Sequence, residues 1–183
     1  MNTHTLVSEP INTERLDLLP LRVADAEEMS AVLSDPALYA FIGGAPETAQ
    51  ALRARYERMT AGSPDPEVSW LNWVIRLRGE ACATGTVQAT IGPMGHGPVA
   101  EIAWVVGTPW QGRGIATEAA RGLVEWLGRQ AVSAVVAHIH PEHHASAAVA
   151  AACGLGPTEV WQDGEVRWQR TTGLRTGHAR TNR

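Results

Sequence analysis

The chain reads as a single mixed α/β domain, and three observations predict it. Apolar residues recur at helical spacing in four segments, they alternate with polar ones over a long central stretch, and one apolar strand runs through a Gly-rich turn directly into a helix. At 183 residues, 44% hydrophobic and 19% charged, the chain is long enough to bury roughly 70% of its unfolded surface around one core. No internal repeat and no Pro- or Ser-rich linker divides it.

Residues 1–12 are polar and are expected to form a flexible N-terminus ahead of a folded domain over 13–170. The first element is a strand, Arg15–Leu21, apolar enough to be buried on both faces. Asp25, Glu27 and Glu28 then open a helix with Met29, Val32 and Leu33 in one stripe, and Asp35-Pro36 ends it. A second helix begins near Pro46, carries Leu52, Tyr56 and Met59 on one face, and stops at Gly62, Pro64 and Pro66.

From Ser69 the period becomes two. Trp70–Arg78, Ala81–Ile91 and Val99–Val106 predict an antiparallel meander, parted by Arg78-Gly79-Glu80 and by a loop over residues 92–98. Residues 115–130 return to helix through Ala120, Leu123, Val124 and Leu127, and residues 133–140 read as a buried strand. Ser146–Ala152 is a helix with Ser146 as its expected N-cap and Gly154 just past its end. Glu159–Gln162 and Glu165–Gln169 flank Asp163-Gly164, a hairpin turn. The tail over 171–183 has little apolar content and is expected to be disordered.

Charge and composition remove several functions. With 15 basic residues against 19 acidic ones and a net charge of −4, the chain lacks the basic field of a nucleic-acid binder. All the basic residues are Arg and none is Lys, which excludes a lysine Schiff base, a P-loop lysine and a catalytic lysine amine. Cys82 and Cys153 read as free thiols, no stretch is apolar enough to span a membrane, and no secretory leader is evident. A cytoplasmic protein without membrane partners is expected.

The most informative segment runs from Glu101 through Gln111-Gly112-Arg113-Gly114-Ile115-Ala116-Thr117 to Glu118. Gly112 and Gly114 remove Cβ atoms where the backbone must approach something closely, and the first N–H groups of the following helix point outward unsatisfied. Such a helix start suits a diphosphate, with a dipole contribution of roughly 0.3–1 kcal/mol per charge. Arg113 is placed to add a side-chain contact. A dinucleotide fingerprint would need a third Gly where Thr117 stands, and a P-loop would need a lysine.

Gln111-Gly-Arg-Gly-Ile-Ala116 resembles the Gln/Arg-x-x-Gly-x-Gly/Ala motif of the GNAT superfamily of acyl-CoA-dependent N-acetyltransferases. Further segments are similar to its branch that acetylates ribosomal-protein N-termini: Thr13–Leu21, Asp25-Ala-Glu-Glu, Ser34-Asp-Pro36, Trp110–Ala119 and Pro141–Ser146 with Gly154. The resemblance implies a mostly antiparallel mixed sheet of six to seven strands with flanking helices and a splayed cofactor cleft. It implies acetyl-CoA as co-substrate, its diphosphate on the amides of residues 111–117, and its pantetheine paired with the backbone of Trp104, Val105 and Val106. The oxyanion donor is implied to lie on the same splayed strand.

Acetyl transfer to an amine requires a base that takes a proton near neutral pH. Glu101 is the candidate, a lone carboxylate inside the apolar run Val99–Val106, expected to be partly buried beside Ile and Trp. The bland alternative is a solvated Glu or an ion pair with an Arg such as Arg76. Family members often carry a Tyr acid near the end of the last helix; here Ala150 occupies that place and Leu155 replaces a Phe. The branch's Asn and Ser in the preceding segment correspond to His143 and Ser146, so Ser146 is the expected acid and His143 a CoA contact.

Other readings stay open. The histidines at 138, 140, 143 and 144 raise a metal-dependent hydrolase, although no acidic pair or Cys completes a known spacing. Loss of the Tyr and Asn raises an acyl-CoA-binding module without turnover. Among the 7 tryptophans, Trp104 and Trp126 fit the core, whereas Trp70, Trp73, Trp161 and Trp168 lie on strands that could line an acceptor groove. The acceptor is open between a protein N-terminus and a small-molecule or antibiotic amine, and the chain is expected to act as a monomer or homodimer.

Overall fold

The computed structural model describes residues 5–95 and 97–172. From residue 173 on, the expected tail lies outside them, as do residues 1–4. One eight-stranded sheet has the order β1-β2-β3-β4-β5-β6-β8-β7, and every pairing is antiparallel except β5 with β6. The strands are β1 (Ile11–Asn12), β2 (Leu16–Pro20), β3 (Ser69–Leu77), β4 (Cys82–Met94), β5 (Gly97–Val106), β6 (Ala134–Ile139), β7 (Gly156–Gln162) and β8 (Glu165–Thr171). The helices are α1 (Ala26–Val32), α2 (Ala49–Thr60), α3 (Ile115–Gly128) and α4 (His144–Ala152).

Strand alternation divides the core in two. One face of the meander carries Leu71, Trp73, Ile75, Val87 and Ile102, and these pack with Leu16 and Leu18 against Ile115, Leu123 and Leu127 of α3. On the opposite face Val74 and Ala83 meet Met29 of α1 and Leu52 and Tyr56 of α2. Asp25 ends the chain's approach to α1 by accepting from the Arg22 backbone at 2.8 Å, and Thr48 caps α2 through the Ala51 N–H at 3.1 Å.

The structure departs from the sequence reading at several places. The N-terminal segment is anchored, not free: the Leu6 N–H donates to Ser69 Oγ, the Asn72 N–H to Ser8 Oγ and Trp73 Nε1 to the Glu9 carbonyl at 2.7 Å, and Ile11 is buried in β1. That short β1 takes the sheet past the six to seven strands expected. The loop expected over 92–98 is mostly strand, because Gly92 pairs with Val99 and Pro93 with Pro98, leaving Gly95 at φ +59° in the turn. β8 runs on to Thr171, and the Thr172 N–H reaches the Ser133 carbonyl at 3.0 Å. α4 is capped by His143 rather than Ser146, which instead lies in the helix's first turn.

Candidate active site

β5 and β6 share three register pairs only: Val99 with Ala134, Ala100 with Val135 and Glu101 with Val136. Beyond Glu101 the two strands part, while β5 continues in unbroken register with β4 to Val106. The opening therefore comes from divergence at the parallel pair and not from a bulge on the β4 side. The starts of α3 and α4 and the segment 37–42 frame a cleft of about 540 Å³ at this opening. Every residue expected to hold the cofactor lines it except Arg113, and Ser146 lines it too.

The Gly-rich turn forms one wall. Gly112 (φ +72°) and Gly114 (φ +76°) are both left-handed, a conformation that favours glycine, and a Cβ on Gly112 would meet open space. Gly114 is the N-cap of α3 and makes no side-chain cap, so the N–H groups of Ile115, Ala116 and Thr117 have no intrahelical acceptor. Gln111 Nε2 donates to the Val106 carbonyl at 3.0 Å, tying the turn to the end of β5.

A brace holds the turn from behind. Glu118 accepts from Thr13 Oγ1, from the Arg15 backbone N–H and from Arg15 Nε, each at 2.7 Å, and Arg15 Nη1 donates to the Arg113 carbonyl at 3.0 Å. Burial opposes the Glu118 charge, but the donors from Thr13 and Arg15 outweigh it and hold the carboxyl below its ordinary range. The side chain of Arg113 turns to Glu80 instead of the cleft, against the sequence expectation of a phosphate contact.

Glu101 stands at the last shared rung. Its side chain is 50% exposed, so the burial expected for it is absent, and its partner is His138 Nδ1 at 2.9 Å; Arg76 pairs with Glu28. In register order Trp70, Thr90 and Glu101 lie side by side across β3, β4 and β5. Trp70 is partly exposed there, as expected for a groove residue. Trp73 is not: it is fully buried, edge-on to Trp126 at 5.5 Å between ring centres. Trp168 packs against the core, and Trp161 is exposed on β7.

Across the cleft, the ring of His143 stacks on Phe41 at 4.5 Å and 14°, and Ser146 Oγ lies 3.5 Å from His143 Nε2. Burial, with His140 adding to it, pushes the His143 imidazole down and favours its neutral form. Sequence reasoning missed two groups. From the sequence His138 reads only as a candidate metal ligand, and Glu165 only as a hairpin flank. Burial raises the Glu165 carboxyl, which feels the charges of His138, His140 and Glu101. Among the described residues no cluster of three or more His, Cys, Asp or Glu is arranged to hold a metal ion. No helix among them is long and apolar enough to cross a membrane.

The sequence matches a family model described as Acetyltransferase (GNAT) domain over residues 15–156. A search of curated proteins gives no match. Among solved structures, the fold is similar to an acetyltransferase of the GNAT family from Bacillus anthracis, with a TM-score of 0.71 and 19% identity over 90% of this chain and 99% of that one. It is similar to RimL, a ribosomal L7/L12 alpha-N-protein acetyltransferase solved with coenzyme A, with a TM-score of 0.70 and 15% identity over 89% and 98% of the two chains. It is also similar to the microcin C7 self immunity acetyltransferase MccE, solved with acetyl-CoA and AMP, with a TM-score of 0.70 and 17% identity over 87% and 93%. At these identities the likeness establishes the architecture, and the family match across most of the chain establishes the rest: the chain belongs to the GNAT acetyltransferases.

Proposed function

We propose that this protein transfers an acetyl group from acetyl-CoA directly to a primary amine, at the point where β5 leaves β6. One observation carries the reading: an anion cradle and the edge of β5 released by β6 line one cleft, and Glu101 stands on the same strand at the last β5–β6 rung, ahead of the Trp104–Val106 edge. The amides of residues 112–117 hold the diphosphate, and the Trp104–Val106 backbone pairs with the pantetheine amides as a strand would. Glu101 takes a proton from the acceptor ammonium, freeing the nitrogen lone pair for attack on the thioester carbon. A backbone N–H on the freed edge of β5 stabilises the oxyanion, a contribution commonly worth ~2.7–4 kcal/mol. As the C–S bond breaks, Ser146 gives its hydroxyl proton to the departing thiolate and takes up the proton that the acylated nitrogen loses on becoming an amide, with neutral His143 beside its hydroxyl.

The acceptor is a protein N-terminus or a small-molecule amine. RimL is a ribosomal L7/L12 alpha-N-protein acetyltransferase and MccE a microcin C7 self immunity acetyltransferase, and the likeness to both leaves the acceptor to be found by experiment. The free thiols Cys82 and Cys153 suit the reducing cytoplasm. A panel of amines, read by release of free thiol from acetyl-CoA, tests the proposal. At least one amine raises release above hydrolysis, and Glu101→Gln lowers that rate about 10²–10⁴-fold with acetyl-CoA affinity unchanged. Thiol release indifferent to every amine, with acetyl-CoA still bound, would instead identify a binding module without turnover. A second reading makes Glu165 the base, favoured by its raised carboxyl; Glu165→Gln then carries the loss and Glu101→Gln does not.

A further inference from the structure

We propose that His138 and Arg167 form a backing for Glu101, in which His138 is a positioning residue that fixes one carboxylate oxygen and Arg167 fixes the His138 tautomer. The inference rests on Glu101 as the base. The His138 side chain is only 5% exposed and sits on β6 just past Val136, the last residue to pair with β5, where the two strands separate beside Glu101. Its Nδ1 is 2.9 Å from Glu101 Oε1, and its Nε2 faces Arg167 Nε at 3.4 Å. Arg167 is itself steered by register, opposite His138 on β8, and by a contact of Nη1 with Met94 Sδ at 3.7 Å.

The tautomer follows from the donor inventory. A guanidinium N–H can only donate, so Nε2 of His138 accepts and the ring proton sits on Nδ1, where it donates to Glu101 Oε1. Oε2 of Glu101 is thereby left to take the acceptor's proton: an ammonium N–H bond breaks, a carboxyl O–H bond forms, and the nitrogen keeps the electron pair. The other charged groups facing the cluster are Glu165 on β8 and His140 on β6. Glu165 feels the charges of His138, His140, Glu101 and Asp163 together.

Two near-isosteric variants separate positioning from packing. The amide nitrogen of Asn lies as many bonds from the backbone as His Nδ1, and that of Gln as many as Nε2, so His138→Asn keeps the donor to Glu101 and His138→Gln misplaces it. Acetyl-transfer kcat and amine KM are measured, together with acetyl-CoA affinity and the melting temperature, using the best amine of the panel. His138→Asn is expected to keep kcat within about threefold of the parent. His138→Gln is expected to lose about tenfold or more in kcat with unchanged acetyl-CoA affinity and amine KM. Equal losses in both variants would overturn the proposal in favour of packing alone, and so would parent-like behaviour of both. The parallel Glu101→Gln variant keeps the failures apart: if it retains full rate, the base reading fails and the backing falls with it, whereas its loss beside an indifferent His138→Gln removes the backing only.

Discussion

Gly85 is the position at which a single methyl group should distort the cleft most directly. It pairs with Val106 across β4 and β5. A Cβ built there would lie 2.9 Å from Val106 Cα and 3.0 Å from the Val105 carbonyl carbon, and it would also overlap the Val105 carbonyl oxygen. All three are main-chain atoms, so no side chain can rotate away and β5 itself must shift. Overpacking costs about 1–3 kcal/mol, and a backbone obstacle puts Gly85→Ala at the upper end, about 2–3 kcal/mol. For a domain of this size that lowers the melting temperature by roughly 4–12 °C. The displaced segment is the one expected to pair with pantetheine, so acetyl-CoA affinity should fall about tenfold or more. Thermal melts with and without acetyl-CoA, and calorimetric titration, read both effects. A melting point within about one degree of the parent and an unchanged dissociation constant would refute the reasoning.

The remaining predictions concern the brace and the mouth of the cleft. Glu118→Gln removes charge-assisted bonds to Thr13 and Arg15 and should cost about 1.5–3 kcal/mol, with weaker acetyl-CoA binding, since the turn loses its support. Because the folded-state Glu118 carboxyl lies below its unfolded value, its stabilisation is present above the unfolded value and lost as pH falls through the folded one. Denaturant melts should therefore show a smaller acid-side loss of stability in Glu118→Gln than in the parent. Phe41→Ala removes the ring stacked on His143 and should weaken acetyl-CoA binding by up to about tenfold, read by calorimetry, with little change in stability because Phe41 is substantially exposed.

What was legible in the sequence was local. The meander followed from period-two alternation, α3 from its apolar stripe, and the Gly112 and Gly114 conformations from the absence of Cβ atoms at a strand-to-helix turn. What was not legible depends on residues far apart in the chain. The N-terminal segment looks flexible until Leu6, Ser8 and Glu9 find Ser69, Asn72 and Trp73 more than sixty positions away. Arg113 points naturally at an anion until Glu80 claims it, and Glu101 looks unpaired until the register of β5 and β6 sets His138 beside it. Trp73 read as a groove residue because alternation alone does not say which face meets α3. The misplaced cap of α4 has a nearer cause: the helix starts one turn earlier than Ser146 suggests, and neither Glu142 nor His143 signals that start.

The brevity of the β5–β6 pairing has a mechanical side. Three rungs are a narrow seam between a six-residue ladder on one flank and a ten-residue ladder on the other, so the sheet forms two plates joined by that seam and by the core they share beneath it. A molecule lying in the opening and bonded to both plates stitches the seam shut. Its arrival should stiffen the β6–β8 plate relative to the meander, and its departure should let that plate swing, which favours an order of events in which the thioester docks first and the amine meets an already rigid wall.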